Sequence, residues 1–326
     1  MNIFITGGSG FIGYHIVKKF LLNPVNKAVI VFDNFSSGTK NYLNDYLGNK
    51  KLTIIEGDIK NLDLLKSSMK NVDLVVHLAA NPDISKAITD PSIDFWEGTY
   101  LTQNVMEAMR VNGVKNILYT SGSGVYGEHF DVKFHENFGP CFPISTYGAS
   151  KLACESLICS YCHMFGMKAR VFRFANVVGP KQTHGVGYDF VKRLKKNQSE
   201  LRILGDGSQS KSYVYVDDIL DAIFLVLEEL NQKNSKFFDT YNVATDDYIT
   251  VTEIANIALE VFNFSQNQVS FNYSGGDRGW KGDVPKVLLD INKIKKLGWK
   301  ANKNSHQAIK SSISSMKKEL DNLNDK

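Results

Sequence analysis

Several kinds of protein are excluded by what this chain lacks. Four cysteines in 326 residues give no disulfide framework. Three of them, Cys154, Cys159 and Cys162, fall in one helical stretch with Cys141 just before it. Cys159-x-x-Cys162 has no second ligand pair to complete a metal site, so these read as reduced thiols in a packed helix and no metal is expected. No apolar run approaches the ~18 residues that a membrane span needs. Met1-Asn2-Ile3-Phe4-Ile5 leads straight into a glycine loop without the regions of a signal peptide, so a cytoplasmic location is expected. Charge of one sign is not concentrated: 38 Lys and Arg stand against 34 Asp and Glu, a net +4. The densest basic run, Lys192-Arg193-Leu194-Lys195-Lys196, reads as the solvated face of a helix, and a nucleic-acid partner is not expected. Internal repeats and low-complexity tracts are also missing. Only the last dozen residues, rich in Lys, Glu, Asp and Asn, suggest disorder.

What remains is an ordinary globular composition, 43% hydrophobic and 22% charged. Apolar runs at Asn2–Thr6, Ala28–Asp33, Leu52–Glu56, Leu74–Leu78, Asn116–Thr120 and Lys168–Phe174 have the character of strands buried on both faces. Helical patterns lie between most of them, including long ones at Ile93–Val111 and Thr146–Phe165. This alternation predicts an α/β fold with a doubly wound, parallel Rossmann sheet. After Pro180 the pattern changes: Leu201–Leu204 and Ser212–Val216 mix with helices at Val216–Leu227 and Thr252–Phe262. A smaller α+β substrate domain is expected from residues 181–215 and 246–326. Residues 1–180 would form the nucleotide domain, with 216–245 crossing back to it. Ligands of such sheets bind beyond the strand C-termini.

Gly7-Gly8-Ser9-Gly10-Phe11-Ile12-Gly13 stands at such an end. Glycines at positions 7, 10 and 13 permit a tight turn and let backbone N–H groups approach a pyrophosphate at a helix N-terminus. The next strand ends at Asp33, whose carboxylate suits ribose hydroxyls and repels a 2′-phosphate; Asn34 beside it is neutral. NAD rather than NADP is therefore the expected cofactor. Asp58 and Ile59 suit the adenine, and Leu78, Ala79 and Ala80 leave room for the cofactor backbone. Tyr147-Gly148-Ala149-Ser150-Lys151 puts a phenol and an ammonium on one helix face. A free tyrosine ionises near pH ~10. An adjacent ammonium and a nicotinamide cation favour the phenolate, which makes such a tyrosine a usable acid and base.

With these motifs the chain resembles the extended short-chain dehydrogenase/reductases, the NAD-dependent epimerase/dehydratase family, and within it the proteins related to UDP-glucose 4-epimerase. The resemblance is carried by Thr6 to Gly13, His77-Leu78-Ala79-Ala80-Asn81-Pro82, Val125-Tyr126-Gly127-Glu128, the Tyr147–Lys151 motif, Arg173 to Pro180, and Gly275-Gly276-Asp277-Arg278-Gly279-Trp280-Lys281-Gly282-Asp283-Val284-Pro285. It implies that Tyr147 takes the proton of the sugar 4-hydroxyl while a hydride passes from carbon 4 to NAD. The 4-keto sugar then turns over, and hydride and proton return on the other face. Lys151 would hold the cofactor ribose. Asn81, Ser123, Tyr147, Asn176, Tyr188, Lys211 and Arg278 are the implied substrate contacts, with Asn176, Lys211 and Arg278 at the phosphates.

Two positions depart from the family pattern. Gly122 stands where a Ser or Thr bonds the reacting hydroxyl, which leaves Ser121 and Ser123 as substitutes one residue out of register. Gly98 stands where an asparagine is implied ahead of the second long helix. A dehydratase is disfavoured, because Ser123-Gly124 occupy the place of its Asp-Glu pair. A UDP-glucuronate 4-epimerase is disfavoured by Asn176 and Thr183, where a Thr and an Arg are implied. The expected activity is therefore 4-epimerisation of a UDP-hexose such as UDP-glucose or UDP-galactose. A nucleotide-sugar reductase, a UDP-glucuronate 4-epimerase and a non-catalytic NAD- or sugar-nucleotide-binding protein are the alternatives. A homodimer is expected through the two long helices, with Cys154, Leu157, Ile158 and Tyr161 as its apolar stripe.

Overall fold

The computed structural model describes residues 1–129, 132–230, 232 and 234–324. Seven strands form the central parallel sheet: β1 Asn2–Thr6, β2 Ala28–Asp33, β3 Leu52–Glu56, β4 Leu74–His77, β5 Asn116–Gly122, β6 Lys168–Phe174 and β7 Phe238–Val243. Their spatial order is β7-β6-β5-β4-β1-β2-β3, so the direction of winding reverses beside β1. Alternate side chains go to opposite faces, as a pleated strand requires. Ile3, Ile5, Val29, Val31, Leu118 and Phe172 meet helices α1 (Phe11–Leu22) and α6 (Val216–Leu230) on one face. Phe4, Phe32, Val75, Ile117, Ala169 and Val171 meet α2 (Leu62–Ser68), α3 (Tyr100–Asn112) and α4 (Thr146–Phe165) on the other.

A third apolar cluster lies off the sheet. It joins α5 (Val186–Lys196), α7 (Val251–Phe262) and α9 (Ser305–Asn324) to the paired strands Glu200–Ile203 and Ser270–Tyr273. A short helix, α8 (Asn292–Lys296), packs beside β7. Helix α9 runs through most of the last dozen residues, to Asn324, with Met316 buried against the third cluster; of that stretch, 325–326 lie outside the described residues.

Two elements differ from the sequence pattern. The seventh strand was not apparent, because Asp239, Thr240 and Asn242 break its apolar run. Asn242 is nevertheless fully buried, and its amide donates to the carbonyls of Phe134 (2.9 Å) and Asp290 (3.0 Å). The long helix expected at Ile93–Val111 begins instead as a π turn, Phe95–Thr99, before α3. Ser150 of α4 presses into that turn and donates to the Asp94 carbonyl at 2.6 Å. A side chain at Gly98 would begin 2.4 Å from the Ser150 hydroxyl, so an asparagine there would have to displace that hydroxyl from its bond to the Asp94 carbonyl.

The proposed interface stripe also needs correction. Cys154 and Ile158 have no exposure within the single chain, since α4 turns them into the core. The Tyr161 hydroxyl accepts from Gln103 at 2.7 Å across to α3. Burial pushes the Cys162 thiol up to about 12 and raises Cys159, so neither is a ready thiolate. All four cysteines are free. No helix among the described residues is long and apolar enough to cross a membrane, and no group of three or more His, Cys, Asp or Glu among them could hold a metal ion.

Candidate active site

The C-terminal ends of β1 to β6 open into a cleft of about 690 Å³, closed from the other side by residues near Gln209, Lys211 and Trp280. Its volume and place match the ligand crevice of a doubly wound sheet. Gly7, Gly10, Phe11, Ile12, Gly13, Asp33, Asn34, Asp58, Ile59, Leu78, Ala79 and Ala80 all line it.

The glycine loop is shaped by backbone contacts that side chains would prevent. Gly7 has φ +70°, and a Cβ there would sit 2.8 Å from the Ala79 nitrogen. A Cβ on Gly13 would lie 2.2 Å from the Gly7 carbonyl oxygen. Gly10, the N-cap of α1, supplies no side-chain cap, which leaves the first N–H groups of the helix available to an anion. Asp33 accepts from the backbone N–H of Ser9 and of Phe35, both at 2.9 Å, and so fixes the glycine loop to the end of β2. Asn34 donates to Asp58 at 3.1 Å. An uncapped helix terminus, a glycine cradle and an acidic strand end fit the diphosphate and ribose of a dinucleotide.

Tyr147 and Lys151 enter the cleft from the first turns of α4, which Ser145 caps by accepting from Gly148 N–H at 3.1 Å. The Lys151 ammonium lies 5.6 Å from the Tyr147 ring centroid and donates to the Thr120 carbonyl at 2.8 Å. The small residues between them have distinct uses. A Cβ on Gly148 would meet the Gly124 carbonyl oxygen at 2.4 Å, so glycine lets α4 close against the loop after β5, while Ser150 reaches the π turn.

The other candidates divide. Ser123 lines the cleft, half-buried, and its hydroxyl has no partner among the described residues. Ser121 also borders the cleft, but its hydroxyl points into the core and donates to Glu155 at 2.6 Å. This geometry corrects its reading as a stand-in for the missing hydroxyl. Asn81 lines the cleft with its amide committed to Asp94 (2.9 Å) and the Asp83 carbonyl (3.0 Å). Asn176 lines it and is exposed. Lys211 lines it and is ion-paired with Asp283.

Arg278 and Tyr188 are not among the lining residues. Arg278 pairs with Glu128 at 2.8 Å and donates to the Asp283 carbonyl at 2.9 Å. Tyr188 packs onto the third cluster with Lys192 over its ring at 5.4 Å. Sequence reasoning missed the Thr120 carbonyl, Asp94, Glu155 and Trp280. A backbone acceptor leaves no trace in residue types, and Asp94 acts across more than 50 residues, accepting from Thr146 at 2.7 Å.

A parallel sheet with an uncapped glycine loop, and a Tyr-x-x-x-Lys helix entering the same cleft, define a dinucleotide-dependent enzyme of the dehydrogenase/reductase type. Residues 3–244 match the NAD dependent epimerase/dehydratase family, and the chain belongs to that family. A putative UDP-glucose 4-epimerase of Methanocaldococcus jannaschii is 34% identical over 321 residues, 97% of this chain and 98% of that protein. Among solved structures, a UDP-galactose 4-epimerase is 34% identical with TM-score 0.85, covering 98% of this chain and 100% of the other. A dTDP-glucose 4,6-dehydratase from Streptomyces venezuelae with NAD bound is 26% identical with TM-score 0.88, covering 99% and 98%. The cofactor is NAD.

Proposed function

We propose that this protein is a nucleotide-sugar 4-epimerase acting on a UDP-hexose, UDP-glucose or UDP-galactose in the first instance. The observation that carries the reading is the placement of Tyr147 and Lys151 beside the glycine loop in one cleft, with Lys151 held by the Thr120 carbonyl. NAD, when bound, supplies the acceptor and donor of hydride. Tyr147 takes the proton of the sugar hydroxyl as it is oxidised and returns it when the sugar is reduced on its other face. Lys151 places its ammonium 5.6 Å from the Tyr147 ring centroid, on the same face of α4, where it can hold the cofactor ribose. Ser123 is the hydroxyl placed to orient the reacting oxygen, and Asn176 and Lys211 meet the diphosphate. Lys211 must exchange Asp283 for phosphate to do so. The part away from the sheet, residues 181–215 and 246–326, holds the nucleoside and sugar. The relatives named for UDP-glucose and UDP-galactose 4-epimerisation support this choice of substrate. The same reading makes the protein a cytoplasmic homodimer.

A second reading, an NAD- and sugar-nucleotide-binding protein without turnover, is favoured by one observation. Gly122 carries no hydroxyl, and that of Ser121 is turned to Glu155. Incubation with UDP-glucose or UDP-galactose in the absence of added cofactor separates the two. Interconversion to one common ratio from either side is expected. Recovery of each sugar unchanged after it has demonstrably bound would instead support the second reading.

A further inference from the structure

We infer that Ser121, Glu155 and Arg173 form a buried positioning relay that sets the Lys151 ammonium against Tyr147. The inference rests on the catalytic reading above. Ser121 and Arg173 are register partners on neighbouring strands β5 and β6, and both side chains reach Glu155 of α4. Glu155 stands one helical turn beyond Lys151, on the same face of α4. Its carboxylate accepts from Ser121 at 2.6 Å and from Arg173 at 2.6, 3.1 and 3.2 Å. Arg173 is fixed in turn by the Tyr126 hydroxyl at 2.9 Å and the Glu136 carbonyl at 3.1 Å. Tyr126 donates onward to Asn242 of β7 at 2.7 Å. The Ser121, Glu155 and Arg173 side chains are all almost wholly buried.

A buried ion pair is poor evidence of added stability, since apolar residues of the same size often do as well. Its location supplies a reason for its presence. The carbonyl that holds Lys151 belongs to Thr120, one peptide before Ser121. Beyond Ser121 the chain runs through Gly122 and Gly124, which have no side chains to anchor it, and the Gly124 carbonyl lies directly against Gly148 of α4. Ser121 is therefore the last side-chain anchor before the loop that faces the reacting centre. Glu155 ties that anchor to the helix bearing Tyr147 and Lys151, so strand end and helix move as one body. Misplacing reacting groups by about 1 Å can cost about a hundredfold in rate.

The test compares Ser121→Ala and Ser121→Thr in the full-length protein. Alanine removes the hydroxyl with little change in volume; threonine keeps it. Ser121→Ala is expected to lower kcat about tenfold or more, with KM for the sugar nucleotide and affinity for NAD within twofold of the parent, and Ser121→Thr to restore most of the loss. An unchanged kcat in Ser121→Ala overturns the relay. So does a loss of kcat that tracks a loss of folded protein, or one that threonine does not rescue. If the parent itself interconverts no nucleotide sugar, the catalytic reading has failed, and the relay is read from crystals instead. A Lys151 ammonium that keeps its Thr120 contact and its distance from Tyr147 in Ser121→Ala overturns it, and a displaced one supports it.

Discussion

Gly122 and Gly98 look equivalent in the sequence, each a glycine where a polar side chain is implied, yet their surroundings are opposite. At Gly98 a Cβ would begin 2.4 Å from the Ser150 hydroxyl, whereas at Gly122 it would meet nothing within 4 Å. The Gly122 backbone, at φ −153°, is extended and suits any residue. Gly122→Ser is therefore expected to fold normally and to raise kcat by about 100-fold, the lower end of the scale of one well-placed proton-handling group, as measured by UDP-galactose to UDP-glucose conversion. Tyr147→Phe removes the proton carrier itself and is expected to lower kcat by about 10²- to 10⁴-fold in the same assay while NAD stays bound. The sequence discloses that a hydroxyl is missing at residue 122. It does not disclose that there is space for one, because that depends on how residues of other elements are arranged around it.

Among the elements, the glycine loop and α4 were legible because their chemistry is local: three glycines after an apolar strand, and a Tyr and Lys four residues apart. Strands β1, β2, β4 and β5 were legible because burial on both faces favours apolar runs, whereas β3, partly exposed, and β6, which carries Arg170 and Arg173, were legible from their apolar cores between helical patterns. The seventh strand was not, since its polar residues are satisfied by partners far along the chain, as Asn242 is by Phe134 and Asp290. The π turn before α3 was hidden for a similar reason: the residue that presses into it, Ser150, lies on another helix. Substituents on the glycine loop should act on the cofactor rather than on the sheet. Gly13→Ala places a methyl 2.2 Å from the Gly7 carbonyl oxygen and is expected to yield folded protein that has lost its NAD, measured as nucleotide released on denaturation relative to the parent.

For the molecule as a whole, acid is the expected weakness. His77 is wholly buried at the end of β4, and burial first, with the Lys151 charge second, pushes its imidazole down to about 3. The Thr102 hydroxyl donates to Cys154, so it accepts from Nε2 of His77 at 3.1 Å, and Nδ1 is left to accept from Thr6 at 2.7 Å. The neutral ring is thus fully bonded, and a second proton would require the Thr6 hydroxyl to turn from donor to acceptor. Unfolded chains bind that proton below pH ~6.5, whereas the folded protein does so only near 3. Stability from this group is full above pH ~6.5 and is lost as pH falls toward 3, by ~1.4 kcal/mol for each pH unit. His15, lowered by burial, adds in the same direction. Denaturant midpoints taken at pH 7, 5 and 4 should fall in that order. The placement of β7 has a different consequence, felt during synthesis. Its partner β6 ends at Phe174, but the strand that covers its outer edge starts only at Phe238. A ribosome must add more than sixty residues while that edge of Val171 and Phe172 stays open to any passing strand. Chains that terminate in this interval are expected to accumulate as aggregates, whereas complete chains stay dispersed.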